Sequence, residues 1–374
     1  SVEFGVYLHV PFCRVQCPYC TFYTVLRPAA DDPGWRLAAA LGREWELRVG
    51  PRLAQGDRLA TLYLGGGTPS DLPPAALCGL LERFAADLPG GLEALDEVTV
   101  ECNPESASPA LLDGLRACGV GRVSLGVQAL DDDDLAVLGR GARSAENRAA
   151  MAAVAARFPT WNADLILGIP GSDRDRLARA VDELVAAGAP HLSLYCLELP
   201  PAQARHFGDP RTEASEAHKA DLYEWTSATL VSRGYRHYEI SNAARPGHES
   251  VHNTAYWRGG EYVGLGPGAH SYAGAERGAN RADLRAYLES LESGAPPPAW
   301  REQLSEDMRR RERILLGLRL AEGLEIAPLG LEARLEALRR LEATGHARLE
   351  GGRVRLTPRG WLVSDSIVLQ LVTL

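Results

Sequence analysis

Two rhythms of apolar and polar positions alternate through the first two hundred residues. Short apolar runs at Gly5–Val10, Ala60–Leu64, Glu97–Cys102, Arg122–Val127, Asn162–Leu167 and His191–Leu197 have the length of strands. Between them, Trp35–Val49, Pro74–Ala86, Pro109–Cys118, Ala145–Arg157 and Arg174–Ala187 carry helical spacing. The third of these helices is well punctuated: Ser108 stands at the N-cap, Pro109 in the first turn and Gly119 just past the end. Strand and helix alternating at this spacing predict βαβ units and a parallel sheet. Six repeats fit an incomplete (β/α)6 barrel, of class α/β, better than a short open sheet.

Past Pro200 the pattern loosens. A helix is expected over Glu213–Arg233, followed by a glycine- and aromatic-rich stretch from His248 to Tyr272. Ala295–Ala299 holds three prolines and reads as a linker. From Arg301 the pattern is helix, helix, hairpin, helix. Glu332–Ala343 has leucines at 335, 338 and 341, and ARLEGGRVRLT alternates about a Gly-Gly turn. This predicts a small α+β winged-helix-like domain. The expected division is therefore a barrel over 1–205, an extension over 206–298 and a C-terminal domain over 301–374.

Composition narrows the function. Apolar residues are 45% and charged residues 24% of the 374, as in a globular protein with a large core. A formal net charge of −9 argues against general nucleic-acid binding. The arginine run Arg309–Arg311 invites a DNA-binding reading of the last segment. That segment, however, holds thirteen arginines against eleven acids, which favours a solvated helix face. No apolar run reaches membrane-spanning length, and the start lacks the basic flank and cleavage site of a signal peptide. A cytoplasmic protein is expected.

Seven cysteines, at 13, 17, 20, 78, 102, 118 and 196, are an odd number and argue against a disulfide framework. Four are scattered and read as small buried hydrophobes. Cys13, Cys17 and Cys20 lie within eight residues, directly after the first strand, in YLHVPFCRVQCPYC. Thiolates suit iron–sulfur clusters or zinc. A structural zinc site closes with four ligands, and no fourth cysteine is near; Phe22 follows instead. Three thiolates on a four-iron cubane leave one iron open, a catalytic arrangement.

The C-x3-C-x2-C spacing after a first strand resembles the signature of the radical S-adenosylmethionine (SAM) superfamily. Gly65-Gly66-Gly67-Thr68-Pro69 after the second strand strengthens the resemblance. It implies a [4Fe–4S] cluster on the three cysteines, with SAM on the open iron. Within the superfamily the chain is most similar to the branch of oxygen-independent coproporphyrinogen III oxidases and heme chaperones. The resemblance implies SAM contacts at Tyr7, Gly66, Gly67, Thr68, Glu101, Gln128, Arg140 and Asp164. Several of these fall at strand ends, where barrels handle ligands; a helix cap accounts for any single acid there.

By the resemblance, the oxidases are expected to differ from this chain in an extra cysteine where Phe22 stands and in a longer N-terminal extension before the first strand. His252-Asn253-Thr254-Ala255-Tyr256-Trp257 fits the HNxxYW motif of the chaperones. An imidazole beside aromatic rings suits heme, though Tyr256 and Trp257 also suit a core. Arg258, directly after the motif, is a candidate propionate partner. The resemblance implies heme as cargo, held by His252, Tyr256 and Trp257 in a partly open site. It implies delivery to apo-hemoproteins of the respiratory chain, with transient membrane-protein contact and a possible homodimer. The alternatives are a radical SAM enzyme acting on a tetrapyrrole, a related methyltransferase and a DNA-binding regulator.

Overall fold

The structure is a computed structural model that describes residues 1–30, 32–199 and 213–373. Six strands follow one another in chain order: β1 (Glu3–Val10), β2 (Arg58–Gly66), β3 (Glu97–Cys102), β4 (Arg122–Gln128), β5 (Thr160–Leu167) and β6 (His191–Cys196). Neighbours among them pair in parallel. The crossover helices are α1 (Asp32–Arg48), α2 (Pro74–Ala86), α3 (Pro109–Ala117), α4 (Ser144–Ala155) and α5 (Arg174–Ala186). The expected α/β framework is present, with strand boundaries within two residues of those read from the apolar runs.

A period of two divides the two faces of this sheet. Phe4, Val6, Leu8 and Val10 of β1, Leu62 and Leu64 of β2, Val98 and Val100 of β3, and Val123, Leu125 and Val127 of β4 belong to the buried apolar core under the helices. The alternate positions are polar or small: Gly5, Tyr7 and His9; Thr61 and Tyr63; Glu97, Thr99 and Glu101; Arg122, Ser124 and Gln128; Asn162 and Asp164; His191 and Ser193. These side chains meet across the strands. Asn162 Nδ2 donates to Ser124 Oγ (2.9 Å), and His191 Nδ1 and Asn162 Oδ1 share a hydrogen bond (2.6 Å). The sheet thus carries an apolar outer face and a polar inner one.

Residues past 213 extend both edges. After α6 (Glu213–Ser232), β7 (Arg236–Glu239) and β8 (Asn242–Ala244) pair antiparallel beyond β6. The helix α7 (Val251–Trp257) follows, then β9 (Glu261–Leu265), which pairs in parallel with β1 on the other side. β10 (His270–Ala273), β11 (Glu276–Asn280) and β12 (Ala299–Gln303) continue that edge antiparallel, with α8 (Leu284–Glu292) before β12. Glu44 of α1, fully buried, ties this edge down. It accepts from Gly266 N (2.8 Å), Asn280 Nδ2 (2.6 Å) and Tyr287 Oη (2.6 Å). The stretch expected as a separate extension therefore shares one sheet with the barrel; its expected start at 206 lies outside the described residues.

The last segment holds α9 (Glu306–Gly317), β13 (Leu324–Glu325), α10 (Leu335–Ala343), β14 (Ala347–Glu350), β15 (Arg353–Leu356) and α11 (Ser364–Val372). Its three short strands form their own sheet, with the hairpin turning at Gly351-Gly352 as the alternation predicted. Trp361 Nε1 donates to Leu318 O (2.9 Å), and the Trp361 ring packs on His237 of β7. The apolar core runs through both parts. No helix among the described residues is long and apolar enough to cross a membrane.

Candidate functional site

The cysteine loop leaves β1 at Pro11 and is held by its own backbone. Phe12–Cys13 pairs in parallel with Val25–Leu26, and Cys20 N donates to Cys17 O (3.0 Å). All seven cysteines are free thiols. Two of the three in the loop have hydrogen-bond donors aimed at sulfur: Thr68 Oγ1 lies 3.8 Å from Cys13 Sγ, and Arg140 Nη1 lies 3.7 Å from Cys17 Sγ. Asn103 joins these donors. Its Nδ2 donates to Thr68 Oγ1 (2.8 Å) and its Oδ1 accepts from Arg140 Nη2 (3.1 Å). Asn103 carried no signal in the sequence beyond its place just after β3.

Burial pushes the Cys13 thiol up to about 11 and raises that of Cys20. A buried thiol of this kind ionises when metal takes the place of its proton. Among the described residues no three His, Cys, Asp or Glu side chains converge as around a single ion. A cubane asks instead for one thiolate per iron, and hydrogen bonds to its sulfurs tune it. The donor set, three soft ligands with a hydroxyl and a guanidinium directed at two of them, fits a cluster.

The three glycines after β2 make room first for the protein itself. A Cβ on Gly65 would stand 2.9 Å from the Glu101 carboxyl, one on Gly66 2.5 Å from His9 Nδ1, and one on Gly67 2.6 Å from Phe12 O. Gly66 also has φ +104°, which side-chain-bearing residues rarely adopt. The resemblance implies SAM contacts at Gly66 and Gly67. The contacts of the glycine run bring the β2 end against the cysteine loop and the Glu101 carboxylate, so the glycines assemble the site from its parts.

The proposed SAM contacts gather around this end. Tyr7 Oη hydrogen-bonds His9 Nδ1 (3.0 Å), whose Nε2 bonds Tyr23 O (2.7 Å). Tyr63 Oη donates to Glu101 Oε1 (2.7 Å). Burial raises Glu101 to about 7, against the hydrogen bonds from Tyr63 and Gly66. Burial raises Asp164 too, although Asn162 Nδ2 donates to its Oδ1 (2.9 Å). Two recessed carboxylates with mainly neutral donors suit a cationic ligand such as a sulfonium. Gln128, at the end of β4, has φ +68° and is the one non-glycine residue with positive φ among the described residues. Such strain, of order 1–2 kcal/mol, collects at functional sites.

The HNxxYW motif forms α7, and the structure places its members differently from one another. His252 is buried, against the expectation of an open heme face: it enters the polar side of the sheet beside Gly5. Its Nδ1 bonds Thr61 Oγ1 (2.8 Å) and its ring stacks on Tyr63, 5.1 Å between centroids. Burial lowers it to about 3, so the imidazole is neutral, and its Nε2 is buried without a partner. Tyr256 packs edge-on to His252 and against Tyr262. Trp257 Nε1 donates to Glu239 Oε2 (2.5 Å), and Arg319 lies over its ring. Arg258 is not free for a propionate: it makes a bidentate pair with Glu322 (2.9 and 2.9 Å).

Sequence reasoning missed what joins these pieces. One cavity of about 1550 Å³ runs from Thr21 and Phe22 of the cysteine loop, past Tyr7, Tyr63 and Glu101, to His252, Tyr256 and Trp257. Its far wall is α9, with Arg309, Arg310 and Arg313. Small-molecule sites are usually about 300–1,000 Å³, so this one exceeds the usual size of a single site.

The chain matches the Radical SAM superfamily over residues 7–184 and the HemN C-terminal domain over residues 304–363. It is 40% identical to the heme chaperone HemW of Mycobacterium tuberculosis, covering 99% of this chain and 95% of that protein. It is 35% identical to heme chaperone HemW of Synechocystis over 87% of this chain and 80% of that one. It is 31% identical to the bovine radical S-adenosyl methionine domain-containing protein 1, mitochondrial, over 100% and 88%. Among solved structures, the coproporphyrinogen III oxidase HemN of Escherichia coli, a radical SAM enzyme, superposes with a TM-score of 0.82 at 23% identity, covering 100% of this chain and 91% of that one. That likeness extends the shared fold through the C-terminal domain, whose α9 closes the cavity. With 40% identity over 99% of the chain and a Radical SAM match that includes the three-cysteine loop, the chain belongs to the HemW family of the radical SAM superfamily.

Proposed function

We propose that this protein is a heme chaperone that takes heme into the large cavity and hands it to apo-hemoproteins of the respiratory chain. The observation that carries the reading is the continuity of that cavity, which puts the HNxxYW helix and the cysteine loop on one space. Cys13, Cys17 and Cys20 would hold a [4Fe–4S] cluster. Tyr7, Gly66, Gly67, Thr68, Glu101, Gln128, Arg140 and Asp164 would hold SAM. Bound together, a reduced cluster and SAM supply one-electron cleavage of the sulfonium. The chain's own part is to bind and orient. Arg140 and Thr68 direct donors at sulfur, Glu101 offers a carboxylate to ribose hydroxyls, and Tyr256 and Trp257 offer flat walls to a macrocycle. His252, neutral and with a free Nε2, is the candidate iron ligand. The similarity to heme chaperones HemW supports the heme part of this reading.

The test is hemin titration of the cluster-loaded protein. A saturable Soret shift near one heme per chain is expected, altered in His252→Ala with the cluster intact. Wild-type protein that binds no hemin overturns the reading. The second reading, an enzyme that uses the SAM radical on a tetrapyrrole, draws on the same continuity of the cavity. With Phe22 where the oxidases carry a further cysteine, coproporphyrinogen III is expected to remain unchanged by mass spectrometry; its conversion would move the enzyme reading ahead.

Glu101 gives SAM binding a pH dependence. Its protonated form persists up to about pH 7, and only the carboxylate accepts two ribose hydroxyls. Affinity for SAM is therefore expected to rise as pH increases from 6 to 8, by about tenfold as the ionised fraction grows. The neighbours that share this field are Tyr63, Asp164 and Arg122. Glu101→Gln should bind weakly with a flat profile. A wild-type profile that is flat, or that falls with rising pH, removes Glu101 from the ribose.

A further inference from the structure

We infer that the C-terminal domain supplies a carboxylate clamp to this cavity: Arg309 and Arg313, one turn apart on α9, receive the two neighbouring propionates of the macrocycle. The inference rests on heme being the cargo.

The run Arg309–Arg311, expected as a solvated helix face, is divided in the structure. Arg311 turns to Asp307 of its own helix (2.7 Å), and Arg310 Nε donates to Leu329 O (2.8 Å). Arg309 and Arg313 line the cavity, stand exposed, and have no acidic partner among the described residues. The other arginines of the wall are engaged. Arg258 pairs with Glu322, Arg277 with Glu312, and Arg319 covers Trp257. Two guanidinium groups without an ion pair thus remain in a wall whose acids Asp307 and Glu312 are already paired, while Glu306 of the same wall carries no ion pair among the described residues.

Their spacing fits a dicarboxylate. Side chains at i and i+4 lie about 5–6 Å apart at Cβ, and long guanidinium arms adjust around that value. Heme carries its two propionates on adjacent pyrroles at one edge, so both can be met at once. The polarity of the cavity runs the same way. At its inner end are the buried neutral imidazole of His252 and the ring of Tyr63; at α9 the wall is charged, with Arg309, Arg310 and Arg313 beside Glu306, Asp307 and Glu312. A ligand with an iron at its centre, an apolar body and one dianionic edge matches that gradient. Arginine is the side chain suited to bidentate carboxylate contacts. α9 also packs against α7, so the clamp and the HNxxYW helix share one interface.

The experiment compares hemin with hemin dimethyl ester, whose propionates are uncharged, on the full-length cluster-loaded protein. Wild type is expected to prefer hemin by about tenfold, the scale of two partly exposed charge-assisted contacts. Arg309→Gln/Arg313→Gln should lose that preference and bind both alike. Arg311→Gln, on the same helix but paired with Asp307, should keep it, which separates the clamp from the helix's general charge. Wild type that binds hemin and the ester equally, or a double variant that keeps the preference, overturns the clamp while heme binding stands. Protein that binds neither overturns the clamp together with the heme reading, and an unchanged melting profile of the double variant shows that its loss is local.

Discussion

Cys17→Ser is expected to abolish the cluster while leaving the chain folded. Anaerobic reconstitution of wild type should give about four irons per chain, the stoichiometry of a cubane, and the variant close to none. A serine oxygen is a hard ligand and a poor substitute for thiolate on iron–sulfur. Cys17 sits in a loop outside the apolar core, half-buried, so its replacement removes no core packing. The guanidinium of Arg140 stays anchored by Gly126 O (3.0 Å) and Asn103 Oδ1, so the pocket around the missing sulfur keeps its form. Cys118→Ser, at the C-terminus of α3 against Cys78 in the first half of α2, is the control and should load iron normally. A stable tetrahedral zinc signal with no iron uptake in wild type would falsify the cluster assignment.

The barrel was legible because its signal is local. Each strand is a short apolar run and each helix has its own period, so six strands and their five crossover helices can be read one at a time. The inner face of the sheet was equally available: Glu97, Thr99 and Glu101 alternate with Val98, Val100 and Cys102, and His191 and Ser193 alternate with Leu192 and Leu194. Of these inner-face positions the resemblance pointed to Tyr7, Glu101, Gln128 and Asp164, and passed over Tyr63, Arg122, Asn162 and His191. Reading the polar positions two apart as one continuous surface would have found them.

The arrangement at His252 was not legible, for a different reason. Its position depends on Thr61 and Glu97, which are more than 150 residues away, and on β9 pairing with β1 across the sheet. The same holds for Arg140, whose aim at Cys17 is set by Asn103 and Gly126. The arginines of α9 look alike in sequence. They differ only in what faces them: Asp307 for Arg311, open cavity for Arg309 and Arg313.

Glu97→Ala is expected to destabilise the protein and to weaken heme binding before it touches the cluster. α7 has seven residues, too few to hold a helix in water by itself. Ser250 at its N-cap accepts from Asn253 N (3.3 Å), which satisfies one of the free N–H groups of the first turn. Glu97 provides for the others. Its buried carboxylate accepts from Val251 N (2.6 Å), His252 N (3.4 Å) and Ser250 Oγ (3.2 Å), and a negative charge there also meets the positive end of the helix. Truncation strands all three donors out of water, a loss of about 3 kcal/mol on the scale of broken buried charged hydrogen bonds. Glu97→Gln keeps the volume and one acceptor oxygen and should lose less than half as much. His252 is fixed through this helix, so hemin affinity should fall more than tenfold in Glu97→Ala. Iron should stay at the wild-type level, because Glu97 begins β3 while the cysteine loop lies by the strands' opposite ends. Thermal melting, iron content and hemin titration on the same samples decide the matter. If Glu97→Ala melts with wild type, or keeps wild-type hemin affinity, this carboxylate does not set the position of the HNxxYW helix.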